Sequence, residues 1–361
     1  MTQSIYQQYI DKLFPNYVAS VVERLDGRSL QNQIPFLFNE LLNPEYSADA
    51  RWASIVGKYE NVSADIVALG SSTPKKSRDI LQTYMGDIPK IAVKRELTEQ
   101  DMKAIDSMIE RGLPLATIVN RIFADVPFVI NAIDERIEDL FLSMLSTGVG
   151  RATNNIGQGV NFDMHYFTEN KFGAKAVWSG STAKPMDDIT RLMDKAENDG
   201  NSVRYIFADN TALNWLYNNE QVRGLFGFQQ NYVGGGANVP ALSFDQLSAM
   251  FMSRFGIELR RVSRSTRTEV NGQRTTHKAW ADGRLVFTCD AQVGSLVYTP
   301  TAEENHQSAG ATYTKANAYT LVSKFSDEDP VTEWTKAQAM VVPVINTVDR
   351  IYTLDPTQVQ A

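Results

Sequence analysis

The feature that most limits how this chain can fold is an apolar stripe beginning just after Asp125. Val126, Ile130, Ile133, Ile137, Leu140 and Met144 advance by four, three, four, three and four residues, the spacing that keeps side chains on one face of an α-helix. Asp134, Glu135, Arg136, Glu138 and Asp139 fill the other face, and the run stops at Gly148. At the helical rise, residues 125–147 reach ~35 Å. Three heptads are the lower limit for a coiled coil, so a long helix laid across a sheet is the favoured reading.

Around this helix the chain has 361 residues, enough for about two domains. With 43% hydrophobic and 21% charged residues it can bury a real core. A single cysteine, Cys289, excludes an intrachain disulfide framework and a cysteine-built zinc site. Three histidines, His165, His277 and His306, leave little material for a metal centre. The formal charge of −7 argues against a general nucleic-acid binder, which would be basic. No run approaches ~18 consecutive apolar residues, so no membrane span is expected. The N-terminal stretch MTQSIYQQYIDKLFPNYV lacks the basic and apolar regions of a signal peptide, so export is not expected either.

The first 30 residues read as a helix carrying Ile5, Tyr9, Leu13, Val18, Val21, Val22 and Leu25, with Pro15 marking a break or restart. It is either an arm that packs on something else or an ordinary helix on its own core. Residues 61–96 change texture. Short β-prone pieces flank a polar stretch, which predicts a long hairpin with a basic tip, Lys75, Lys76 and Arg78, and further cations Lys90, Lys94 and Arg95 down one limb. A two-stranded ribbon is marginal alone in water, so this one is expected to lie on a neighbour. The alternative is a solvated surface hairpin. Thr98 and Asp101 then form a capping-box pattern ahead of a helix that Gly112 ends.

Residues 149–184 are rich in Gly, Asn and Ser and read as an extended crossing. From 185 the texture is α/β: a helix Asp187–Glu197, a buried strand Val203–Ala208, and a helix after Asp209-Asn210. A helix Phe244–Phe255, a strand Ile257–Val262, a hairpin turn at Asn271-Gly272 and a strand Arg284–Cys289 follow. Ala339–Val348 and Arg350–Leu354 close the chain as β-rich segments. Phe207 and Trp215 are expected in the core of this domain.

A search for chemistry finds little. Gly148, Gly150, Gly157 and Gly159 follow a helix rather than a strand and lack a Gly-Lys-Ser/Thr, so they do not make a P-loop. Gly234-Gly235-Gly236 reads as a flexible loop, and there is no G-x-S-x-G elbow. Asp163-x-His165 lacks the further ligands of a metal site, and Asp187-Asp188 suits a helix start better than a catalytic pair. Cys289 in a strand reads as a small buried hydrophobe. No catalytic residue, cofactor site or metal site is assigned.

Taken in order, these elements resemble the major capsid protein of tailed bacteriophages, in the lambda-like branch of the HK97 fold. The hairpin at 61–96, Leu97-Thr98-Glu99-Gln100-Asp101 and the helix at 125–147 resemble that family's extended loop and spine helix. VWSGSTAKPMDDITRL (Val177–Leu192), followed by VRYIFADNTALNWLYNN (Val203–Asn219), resembles its crossing into the axial domain. GRLVFTCDAQVGSLVYT (Gly283–Thr299) and FSDEDPVTEWTKAQAMVVPVINTVDRIYTL (Phe325–Leu354) resemble its closing strands.

The resemblance implies an α+β, HK97-like capsid fold with N-terminal arm and helix (1–60), extended β-hairpin loop (61–96), and peripheral domain with long spine helix and crossing segment (97–184). An axial domain (185–324) and C-terminal return strands of the peripheral domain (325–361) complete it. It implies a structural protein, not an enzyme, that self-assembles into hexamers and pentamers of an icosahedral shell around packaged double-stranded DNA. Its partners would be itself, a separate scaffolding protein, a portal and a decoration protein; the DNA would be enclosed non-specifically and no membrane involved. The location would be the virion capsid, assembled in the host bacterial cytoplasm. Under this reading Lys75, Lys76, Arg78, Lys90, Lys94 and Arg95 are expected at inter-subunit contacts. Arm, hairpin and crossing show no evident partner within the chain and are expected on neighbouring subunits. A tail-tube or decoration protein, an encapsulin-like shell, or, less favoured, a hydrolase using Asp209, remain as alternatives.

Overall fold

The computed structural model describes residues 4–30, 33–56, 67, 82–153, 159–229, 239–270 and 272–360. The chain opens with α1 (Gln7–Leu25), α2 (Leu37–Leu41), β1 (Leu42–Tyr46), β2 (Arg51–Val56), β3 (Gln82–Asp87) and β4 (Lys90–Leu97). Then come α3 (Glu99–Glu110), α4 (Leu115–Ile122) and the 22-residue α5 (Val126–Thr147). A middle stretch holds β5 (Val149–Thr153), β6 (Gly159–Asp163), β7 (Lys171–Ala174), α6 (Pro185–Asn198), β8 (Tyr205–Asp209), α7 (Asn210–Asn218), α8 (Glu220–Gln229) and α9 (Phe244–Phe255). The remainder is β9 (Glu258–Val262), β10 (Thr266–Val270), β11 (Gln273–His277), β12 (Leu285–Thr288), β13 (Gly294–Thr299), α10 (Ala302–Asn305), β14 (Ala311–Lys315), β15 (Leu321–Glu328), β16 (Val331–Ile345) and β17 (Ile351–Val359).

Local chemistry explains many of these boundaries. Thr98 accepts from the Asp101 amide while Asp101 accepts from the Thr98 amide, the reciprocal box that starts α3. Ser243 and Gln246 do the same for α9, and Gly256 ends it in the left-handed region at φ +70°. Pro185 occupies the first turn of α6, where no amide donor is needed. Pro15 does not break α1 as the sequence suggests. Ile10, Phe14, Val18 and Val21 are buried on both sides of it and hold the helix in one piece.

The chain divides into two compact units. One comprises 1–52, 85–139 and 295–344, and the other 53–84, 140–294 and 345–361. The first is built on a six-stranded sheet in the order β1-β13-β16-β15-β14, with β4 also pairing β16. Here α1 packs on its own unit: Phe14 and Tyr17 lie 5.4 and 5.0 Å, centroid to centroid, from Phe123. The returning limb of the expected hairpin also has a partner, since β4 runs antiparallel to β16 from Leu97↔Glu333 to Lys90↔Met340. Both features were expected on neighbouring subunits. Their partners lie about 100 and 240 residues away in sequence, beyond the reach of a local reading.

The second unit carries a five-stranded sheet in the order β7-β17-β12-β8-β9. β12 is antiparallel to β8 and β17, while β8–β9 and β17–β7 are parallel. α6 packs against β7 and β17, α7 against β8 and α9 against β9, burying Ile189, Leu192, Leu213, Leu216, Leu247 and Phe251. The crossing is anchored here as well. Trp178 is buried, and its indole donates to Asp188 Oδ2 at 2.9 Å. The two units interleave along the chain, whereas the sequence division ran in consecutive segments. Residues 295–324 contribute to the first sheet, and Ile351–Val359 pairs in the second.

The helical stretch Leu115–Thr147 is long and apolar enough to cross a membrane by length and composition alone. Val126, Val129, Ile133, Ile137, Phe141, Leu142 and Leu145 are fully buried within the protein, as in a core helix.

Candidate assembly surface

Strand alternation sends Lys90 and Lys94 to one face of β4 and Arg95 to the other. On the first face, Lys90 Nζ lies 2.6 Å from Glu303 Oε1, and Lys336 Nζ reaches the same oxygen at 3.3 Å. Burial works to raise the Glu303 pKa, but the Lys90 hydrogen bond and the charges of Lys336 and Lys90 outweigh it and bring the group down to about 2. Lys94, directly opposite Lys336 in the ladder, sets its ammonium 3.8 Å from the centre of the Trp334 ring. A cation over an indole face contributes ~0.5–2 kcal/mol. On the other face, Arg95 pairs with Asp125 at 3.2 Å and stacks 3.6 Å over Phe128. All three cations therefore have partners in their own chain. Lys75, Lys76 and Arg78 lie outside the described residues.

Phe207 is fully buried on β8, while Trp215 on α7 is partly buried and lies against Gly283. Asp209, the residue a hydrolase reading would use, caps α7 by accepting from the Ala212 amide at 2.9 Å and also accepts from the Gly283 amide at 3.2 Å. Cys289 is buried, which pushes its thiol up to about 12 and away from the reactive thiolate. Among the described residues no group of three or more His, Cys, Asp or Glu is placed to hold a metal ion.

The sequence reading missed one buried polar cluster. Lys324 and Glu333, both fully buried, lie 3.8 Å apart, and Lys324 also donates to Ile122 O and Thr335 Oγ1 at 3.1 Å each. Glu333 accepts from Ser4 Oγ and, at 3.4 Å, from the Ile5 amide, tying the start of the chain to the sheet. A lysine at 324 and a glutamate at 333 look like ordinary surface charges in sequence; only the burial of both strands makes them a pair.

What is built here is a reinforced sheet with a charged edge, in which Asp209 serves as a helix cap and Cys289 is buried. A model of the family Phage major capsid protein E matches residues 28–355. The chain belongs to that family. Its α+β architecture is the HK97-like capsid fold. The putative capsid protein of a prophage of E. coli CFT073 superposes with a TM-score of 0.59 at 15% identity, covering 94% of this chain and 98% of that one. A phage-related protein from Bordetella bronchiseptica RB50 gives 0.53 at 10% identity, covering 96% and 97%. No curated protein sequence matches the chain. The likenesses establish the fold, and the family establishes a structural component of the phage capsid.

Proposed function

We propose that this capsid protein assembles into hexamers and pentamers of an icosahedral shell that encloses packaged double-stranded DNA. The observation that carries the reading is the family match, which runs through nearly the whole chain rather than through one domain. In this reading the six-stranded unit is the peripheral domain, the five-stranded unit the axial domain and α5 the spine helix. The protein has no catalytic task. A separate scaffolding protein, a portal and a decoration protein are its partners, and assembly takes place in the host cytoplasm.

The basic limb keeps a role at subunit contacts. Lys90 and Arg95 are each 41% exposed at the side chain despite their internal partners, so they can serve a neighbour as well. Lys75, Lys76 and Arg78 would help set register between subunits, through pairs that are individually weak and salt-sensitive. Many such modest contacts acting together hold a closed shell.

The test is negative-stain imaging of the full chain, expressed with and without the products of neighbouring genes. Icosahedral shells are expected; tubes or small rings in every condition would replace this reading with another virion component.

A further inference from the structure

A closed ring of identical subunits needs a heterologous contact, in which two different and complementary patches of one subunit meet across each joint. The five-stranded unit carries two oppositely charged patches at opposite edges of its sheet. At the β9 edge the chain runs on into the β10–β11 ribbon, which among the described residues forms a two-stranded sheet of its own. All five residues of β11 are exposed. The ribbon holds its shape through cross-strand pairs, Thr268 with Thr275 at 3.0 Å and Glu269 with Arg274 at 2.6 Å. Two strands with no covering layer are marginal in water. The ribbon's strands expose two arginines, Arg267 and Arg274, against one carboxylate, Glu269, in a chain whose net charge is −7; at their ends Arg264 is buried and Lys278 is paired with Asp282.

At the far edge, α6 covers β7 and β17. It buries Met186, Ile189, Leu192 and Ala196 and leaves Asp187, Asp194 and Glu197 exposed. At about 100° per residue these three fall within an arc of about 80°. The helix's own cations are turned elsewhere: Arg191 donates to the Gly173 carbonyl and Lys195 to Asp199. Two strands, β12 and β8, lie between the pair that the acidic helix covers and the edge strand β9 that leads into the basic ribbon.

We propose that the β10–β11 ribbon of one copy docks on the acidic face of α6 of the next, so that Arg267 and Arg274 meet Asp194 and Glu197 head to tail around the capsomer. This rests on the capsid reading and specifies which surfaces make its rings. The occupant is a second copy of this chain, because one unit presents both halves of the charge match on opposite edges.

The experiment is a charge-swap cycle in the full chain, read by negative-stain counting of shells and capsomers and by light scattering at low and high salt. Arg267→Glu with Arg274→Glu should lower the assembled fraction at least tenfold, and so should Asp194→Lys with Glu197→Lys, whose helix is braced by its buried face. Combining all four should restore assembly to within about threefold of wild type. Far-UV circular dichroism checks that each variant remains folded. Folded ribbon and helix variants that assemble like wild type overturn the proposal, as does a four-site variant that regains nothing. If the ribbon variant assembles normally but its particles retain less DNA, the ribbon faces nucleic acid and the proposal also falls. A wild-type chain that forms neither rings nor shells in any condition instead removes the capsid reading itself.

Discussion

Trp215 packs so closely over Gly283 that a Cβ at that glycine would stand 2.5 Å from Cζ3 and 2.7 Å from Cη2 of the indole. Gly283 also has φ +74°, where an L side chain is strained by ~1–2 kcal/mol. Its amide donates to Asp209, the cap of the helix that carries Trp215, so turn, cap and ring are fitted to one another. Gly283→Ala is therefore expected to destabilise the chain by at least ~2 kcal/mol from overpacking and backbone strain together. Urea unfolding followed by tryptophan fluorescence measures it. An unchanged midpoint would mean that the ring moves aside at no cost.

The buried pair in the six-stranded sheet predicts a pattern of non-additivity. Burial lowers the Lys324 pKa against the pull of Glu333 and Asp125, and burial raises the Glu333 pKa against the pull of Lys324. Each charge is tolerated only because the other is present. Lys324→Met or Glu333→Leu alone should cost ~3–5 kcal/mol, the penalty of leaving one buried partner uncompensated. The double variant Lys324→Met with Glu333→Leu should lose less than the sum of its singles. A denaturation double-mutant cycle gives the coupling directly, and strictly additive losses would argue against the pair.

These two clusters mark where the sequence was legible and where it was not. The helix Phe244–Phe255 and the span of α5 could be read because a 3.6-residue period, a cap and a glycine stop are all local signals. The α3 capping box was readable for the same reason. The partner of β4 was not, because strand pairing leaves no trace in either strand when the two lie some 240 residues apart. Lys90, Lys94 and Arg95 accordingly looked like unpaired cations, while Glu303, Trp334 and Asp125 wait elsewhere in the chain. Trp215 looked like core and is only partly buried, since the need for a glycine beneath its ring is a tertiary fact.

Cys289 supplies a simple probe of the five-stranded unit. Its thiol is buried and its pKa is raised, first by desolvation, to about 12. At pH 8 a disulfide exchange reagent such as Ellman's should react with the native chain at least a hundredfold more slowly than with the urea-unfolded chain, because only exposed thiolate attacks. Equal rates would place the thiol at the surface.

Asp134 on α5 makes the stability of the fold depend on pH. Tyr319 donates a hydrogen bond to Asp134 Oδ1 at 3.2 Å. Desolvation raises the Asp134 pKa, the Tyr319 bond opposes it, and the nearby Glu135 and Glu138 charges add to it, so that the group stands at about 7 instead of 3.8. The sign follows from proton linkage. Below about pH 4 the carboxyl is neutral in folded and unfolded chains alike and costs nothing. Between about pH 4 and pH 7 the unfolded chain releases a proton that the fold retains, so this group's contribution to stability falls as pH rises. Above about pH 7 the fold carries the full cost of a desolvated charge, on the order of 4 kcal/mol, since each tenfold change in proton affinity corresponds to ~1.4 kcal/mol. Asp134→Asn keeps an acceptor for Tyr319 and cannot ionise. The stability difference between Asp134→Asn and wild type should grow in favour of the variant from pH 5 to pH 8, measured by urea unfolding at each pH. A difference that stays constant across that window would show that Asp134 ionises in the fold as it does in water.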